Sequence, residues 1–195
     1  MILITGGAKS GKSDFAEKML PTNTIGCYIA TSGNNQHDPE MKKRILIHQK
    51  KRGKNWQTEE RFLKVSQFLY QTNNKFSFYL IDCATLLSTN LFFYWLKQKN
   101  NLSSPKKTAT INSLTQTDYD SFEKILLTNW HNICTTISNL SSQVVIVTNE
   151  LGMGIVPVSK LGRAFRDLLG KVNQLLAKKA DSVYFMVSGI PLKIK

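Results

Sequence analysis

Apolar and polar positions fall into two regimes along the chain. Residues 1–5 form a short run with almost no polar interruption, as expected of a strand covered on both faces in a parallel sheet. Further runs of this kind occupy residues 25–31, 76–83, 143–148 and 182–188, and residues 190–194 read as an added edge strand. Elsewhere apolar positions recur at steps of three and four, through Phe122, Leu126, Trp130, Ile133, Ile137 and Leu140, and again through Leu161, Phe165, Leu168, Val172 and Leu175. That period predicts two amphipathic helices. Residues 14–20 and the apolar stretch 86–96 are further helical segments. Asp38-Pro39-Glu40 supplies an N-cap, a first-position proline and a first-turn acid for a helix running to about residue 52. Residues 100–117, rich in Asn, Ser, Thr and Lys, read as a loop or insertion. Strands alternating with helices predict an α/β fold, a mostly parallel sheet with helices on both faces.

Length and composition narrow this picture. A chain of 195 residues with 42% hydrophobic content predicts one domain spanning residues 1–195 around one core. Ser88, Thr89 and Asn90 interrupt the most apolar helix, which falls short of the ~18 apolar residues of a membrane span. The first residues run into Gly6-Gly7 without the basic start or cleavage site of an export signal. We therefore expect a cytoplasmic protein. Cys27, Cys83 and Cys134 are scattered, as packed thiols are and as zinc or redox pairs are not. The net charge of +13 attracts anions, either nucleotides or nucleic acid. Its densest cluster, Lys42, Lys43, Arg44, Lys50, Lys51, Arg52 and Lys54, lacks the interleaved aromatic residues of a nucleic-acid stacking surface. No nucleic-acid partner is expected, and a nucleic-acid-dependent ATPase is the weaker alternative.

The strongest chemical signal follows the first strand. Gly6-Gly7-Ala8-Lys9-Ser10-Gly11-Lys12-Ser13 matches G-x-x-x-x-G-K-[S/T] between a strand and a helix. In such a loop the glycines let backbone N–H groups converge on phosphate oxygens, and the following helix turns its positive dipole end toward them. Lys12 reaches the terminal phosphates and Ser13 ligates Mg²⁺. Asp82, closing Phe78-Tyr79-Leu80-Ile81, fits the acidic residue that supports the metal from another strand. GTP and ATP are the expected substrates.

Around this loop the sequence resembles the bifunctional adenosylcobinamide kinase / adenosylcobinamide-phosphate guanylyltransferase family. Ile2 to Ser13 looks like that family's opening, and Tyr28-Ile29-Ala30-Thr31-Ser32 like its second-strand segment. Glu40, Met41, Arg44, Ile45 and His48 follow its E-M-x-x-R-I-x-x-H pattern, with Arg52 and the W-x-T-x-E of Trp56, Thr58 and Glu60 beyond. Asp82-Cys83 with Thr89-Asn90-Leu91, Thr148 to Pro157, Arg163 to Asp167, Val172-Asn173-Gln174 and Val187 to Leu192 continue the match. Only residues 61–75 and 97–142 fall outside it. Gly53 stands where the family can carry proline, and Ile47 where it can carry a second histidine.

The resemblance implies a RecA-like P-loop fold, a homotrimer and two reactions in cobalamin biosynthesis. The first phosphorylates the hydroxyl of adenosylcobinamide, a corrinoid. The second transfers GMP from GTP onto that phosphate through a guanylyl-histidine. By the same resemblance His48 is the acceptor, and Ala30, Thr31, Ser32, Gln49, Lys50, Lys51, Arg52, Glu60 and Asp82 are nucleotide-contact residues. On spacing alone His48 shares a helical face with Met41 and Ile45 and packs there. The same helix sets Arg44, His48 and Arg52 at steps of four, a stripe of cation, nucleophile and cation. Glu60 could accept hydrogen bonds from guanine, or stand exposed at a helix start. Gly152-Met153-Gly154 either approaches substrate or makes a plain turn. A kinase of another small metabolite, with His48 structural, is the remaining alternative.

Overall fold

The computed structural model describes residues 1–32, 53–73, 75–101 and 114–195. Seven strands form its sheet: β1 (Ile2–Gly6), β2 (Gly26–Ala30), β3 (Trp56–Glu60), β4 (Phe78–Asp82), β5 (Gln143–Val147), β6 (Ser182–Val187) and β7 (Ile190–Lys193). Their order is β3-β2-β4-β5-β1-β6-β7, and every neighbouring pair is parallel except β6 and β7. Five helices are described: α1 (Lys12–Glu17), α2 (Val65–Gln71), α3 (Ala84–Asn101), α4 (Gln116–Ser138) and α5 (Lys160–Lys179).

The central strands are apolar throughout because both their faces are covered. Leu3, Cys27, Ile29, Tyr79, Ile81, Val144, Ile146 and Val183 pack under α2, α3, α4 and α5. The alternate residues Ile4, Tyr28, Phe78, Leu80, Val145, Val147 and Met186 share the other face with Ala16 and Phe15 of α1. Helices thus lie on both faces, four on one and one on the other among the described residues. The connection from β1 to β2 runs over the α1 face, whereas those from β3 to β4, β4 to β5 and β5 to β6 run over the opposite face. That division keeps each crossover right-handed, the hand that a twisted parallel sheet enforces. It also sends the chain to opposite faces at the ends of the neighbours β1 and β5. Such a divergence opens a crevice at the carboxyl ends of the strands, where open α/β sheets bind ligands.

Several boundaries differ from the sequence expectation. β3 is an edge strand, mostly exposed, so Gln57, Thr58 and Glu59 present no apolar alternation. Glu60 therefore ends a strand rather than starting a helix. α2 is only seven residues long, too short for a periodic signal. The loop predicted over 100–117 gives way to α4 at Gln116, where Thr115 and Asp118 form a reciprocal capping box. α3 runs on to Asn101, and α1 stops at Glu17, before Pro21. The helix predicted from Asp38 lies outside the described residues.

Under α4 the core is dense with rings: Phe92 and Trp95 of α3 lie 5.1 and 5.4 Å from Phe122, and Trp130 donates its Nε1–H to Ser88 Oγ at 2.9 Å. Phe122→Ala should therefore destabilise the protein by about 3–5 kcal/mol in urea denaturation, seen as an earlier midpoint with an unchanged slope.

Candidate active site

The loop between β1 and α1 is shaped by its neighbours. Gly6 sits at φ 153°, and a Cβ there would come within 2.7 Å of the Met186 carbonyl oxygen. Lys9 and Gly11 take left-handed φ of 54° and 89°, curling the chain so that Lys12 opens α1. Ser188 and Gly189, both at positive φ, form the two-residue turn of the β6–β7 hairpin. From that turn the Gly189 N–H donates to the Ser10 carbonyl at 3.0 Å and braces the loop from the side.

Lys12 is 7% exposed; its ammonium donates to the Gly7 carbonyl and lies 3.5 Å from Ser10 Oγ. Burial holds its pKa below the usual lysine value, while Cys83 and Asp82 pull it back upward. Gly7, Ala8 and Lys9 are exposed at the crest of the loop, and Ser13 is half-buried one residue into α1.

Asp82 ends β4 on the α1 face, in the alternation set by Phe78 and Leu80. The Tyr28 hydroxyl donates to its Oδ2. In register with it, Ala30 pairs with Asp82 on one side and with Glu60 on the other, so three of the residues singled out in the sequence form one row across β4, β2 and β3. Thr31, one step on, is fully buried. Its N–H donates to the Asp82 carbonyl at 3.0 Å, and its hydroxyl donates to the Cys83 carbonyl at 2.8 Å and accepts from the Cys83 N–H at 2.6 Å. Its own carbonyl accepts from Asn90 Nδ2 at 2.7 Å. Ser32 is half-buried at the end of this segment. His48, Gln49, Lys50, Lys51 and Arg52 lie outside the described residues.

Across β1, the connection from β5 to α5 is held by a polar framework. Thr148 donates its N–H to the Ile4 carbonyl at 2.9 Å and its hydroxyl to Asn173 Oδ1 at 2.8 Å. Asn173 Nδ2 donates to the Asn149 carbonyl at 3.0 Å, and the Asn149 N–H to Thr85 Oγ1 at 3.0 Å. The Glu150 N–H donates to the Gly6 carbonyl at 3.0 Å, joining this connection to the phosphate loop. The family resemblance takes in Thr148 and Asn173 without giving them a role, and nothing in the sequence singles out Thr85, because the partners of all three are distant in sequence. The three cysteines are buried and form no disulfide, and burial pushes the thiols of Cys27 and Cys83 up to about 12 and 11. They are packing groups without thiolate reactivity.

A mostly parallel sheet whose first strand leads through G-x-x-x-x-G-K-S into a helix, with an aspartate ending a second strand, defines a P-loop NTPase fold. The chain belongs to the cobinamide kinase / cobinamide phosphate guanyltransferase family, whose sequence profile matches residues 2–194. It is 38% identical to the bifunctional adenosylcobalamin biosynthesis protein CobU of Escherichia coli (strain K12) over 195 residues, covering 100% of this chain and 99% of that one. The CobU of Salmonella typhimurium (strain LT2) gives the same identity and coverage, 38%, 100% and 99%. The bifunctional adenosylcobalamin biosynthesis protein CobP of Pseudomonas aeruginosa is 30% identical, over 99% of this chain and 96% of its own length. No described helix is long and apolar enough to cross a membrane.

Thr31 ties the end of β2 to the end of β4 with groups that have no access to water. Thr31→Val leaves both polar groups of the Cys83 backbone short of this partner and should cost about 1–3 kcal/mol, read as a lowered midpoint in chemical denaturation.

Proposed function

We propose that this chain, acting as one nucleotide-binding domain, phosphorylates adenosylcobinamide from ATP or GTP and then transfers GMP from GTP to the phosphate so formed. The observation that carries this is the buried Lys12 at the head of α1, closing the G-x-x-x-x-G-K-S loop after β1, in a chain that matches the family from end to end. A triphosphate laid along residues 6–13 meets the loop amides and the Lys12 ammonium, and its charge offsets the burial that depresses the lysine. Ser13 and Asp82 flank that position. Their hydroxyl and carboxylate are hard oxygen donors that fit Mg²⁺, with phosphate oxygens completing the shell. Held there, Mg²⁺ would supply positive charge to offset what develops on the transferring phosphate.

The row of Asp82, Ala30 and Glu60 runs away from the phosphates along the strand ends and suits a nucleoside. Glu60 accepts from guanine N1 and N2, Ser32 and Ala30 line the path, and Thr31 holds the row from beneath. Gln49, Lys50, Lys51 and Arg52 contact the nucleotide from the segment that carries His48. An uncharged His48 imidazole attacks the α-phosphorus and pyrophosphate leaves. The phosphate of the cobinamide then displaces the histidine. The cytoplasm, where nucleoside triphosphates are held, is the proposed location. Trimer formation is proposed from the resemblance, with Phe93 and Tyr94 of α3, about half exposed, as its apolar contact.

Lys12→Ala removes the charge that both reactions share and should lower each rate at least ~100-fold, measured as release of nucleoside diphosphate and of pyrophosphate with adenosylcobinamide present. Near-normal turnover would remove the loop from the mechanism. Incubation with GTP labelled at the α-phosphate should leave label on the protein, stable to alkali and lost in acid, whereas γ-label departs as pyrophosphate. His48→Asn should lose this label and keep phosphorylation. Equal labelling of the asparagine variant would leave the kinase reading alone.

A further inference from the structure

We propose that Glu150 is the general base of the phosphoryl-transfer step, the group that takes the proton from the acceptor alcohol. The inference rests on the kinase half of the proposed function. An alcohol near neutral pH attacks phosphorus efficiently only where a positioned acceptor receives its proton. Neither Lys12, a buried cation, nor the loop amides can do so.

The sheet itself ranks the carboxylates at its carboxyl edge. Neighbouring strands lie ~4.8 Å apart, so Glu60 on β3, four strands from β1, stands ~19 Å from the phosphate loop. Asp82, two strands away, is engaged by the Tyr28 hydroxyl and is assigned to the metal. Asp167 is exposed and lies 3.8 Å from Arg166 Nε. Glu150 follows β5, the strand next to β1, and its own N–H is bonded to the Gly6 carbonyl at 3.0 Å. That carbonyl immediately precedes the Gly7 peptide on which the Lys12 ammonium rests. Of these carboxylates, Glu150 alone stands at the crevice where the chain leaves β1 and β5 for opposite faces.

Local structure holds the side chain in place. Glu150 Oε1 accepts from the Gly152 N–H at 2.9 Å, and a Cβ on Gly152 would come within 3.0 Å of that oxygen. The residue as a whole is half-buried, and the hydrogen bond to its carboxylate is exposed rather than packed away. Directly beyond it Met153, Ile155 and Val158 are 76, 97 and 98% exposed, an uncovered apolar run on the same connection. An acceptor with a large apolar body can rest there while its hydroxyl reaches the carboxylate.

In the step so assigned, the alcohol oxygen bonds to the γ-phosphorus as the bond from that phosphorus to the β–γ bridging oxygen breaks. The nucleoside diphosphate leaves with the electron pair, and the alcohol proton passes to Glu150 and on to solvent. The second reaction needs no such base, because its acceptor is already a phosphate anion.

The test is Glu150→Gln in the full chain, assayed separately for phosphorylation of adenosylcobinamide and for guanylyl transfer to adenosylcobinamide phosphate. Phosphorylation should fall at least ~100-fold in kcat, with KM for both substrates within about threefold, while guanylyl transfer stays near wild type. Glu150→Asp, which keeps a carboxylate, should phosphorylate well above the glutamine variant. The inference is overturned if Glu150→Gln phosphorylates within about fivefold of wild type, or if both variants lose both activities together. A wild-type chain that phosphorylates no cobinamide instead overturns the functional reading beneath it.

Discussion

Gly6 stands where three strands crowd one backbone position. Its Cα faces the Met186 carbonyl of β6 closely enough to exclude a side chain, and its carbonyl takes the N–H of Glu150 beyond β5. The first residue of the phosphate loop is thereby clamped from both neighbours before the loop begins to curl. The positive φ values of Lys9 and Gly11, the brace from Gly189 and the entry of Lys12 into α1 all follow from that anchored start. Any bulk added at residue 6 would move the loop relative to Asp82 and Glu150 at once, because all three are referenced to the same sheet edge.

Charge is arranged on two scales. The chain carries +13 overall, which draws anions toward it without selecting among them. Selection is left to a few groups withdrawn from water, chiefly Lys12, whose depressed pKa records what it costs to hold an ammonium there without a full counter-charge. Cys83 and Asp82 compensate only in part. Desolvation of this kind favours an anion beside Lys12, because a polyphosphate held there would supply the missing charge.

The parts legible in the sequence were those in which local pattern and final environment agree. Ile2 to Ile4, Phe78 to Ile81 and Val144 to Val147 are apolar because both faces are buried, and they were read as strands for that reason. The G-x-x-x-x-G-K-S run was legible because its glycines answer to backbone geometry. Trp56 to Glu60 was missed as a strand because an edge strand with one neighbour and exposed side chains has no need of the apolar alternation that marks strands. Thr31 was read as a contact residue, and the structure shows its hydroxyl turned inward onto Cys83, a partner 52 positions away that no spacing rule could supply. Thr148 and Asn173 fall within the family resemblance, but the role of either, and of Thr85, was not legible for the same reason: single polar residues in apolar elements acquire meaning only when distant elements meet.

The placement of β1 has a bearing on how the chain is made. Ile2 pairs with Val145 on one side and with Ser182 on the other, so β1 has no permanent neighbour until the chain has been made through β5. Throughout that interval Ile2, Leu3 and Ile4 are uncovered apolar surface, and contacts so far apart in sequence close slowly. Its turn bonded to Ser10, the β6–β7 hairpin completes the sheet beside β1 and the phosphate loop in one event. The sheet around the phosphate loop thus closes only after β5 and β6 have been made, although the loop itself precedes both by more than a hundred residues.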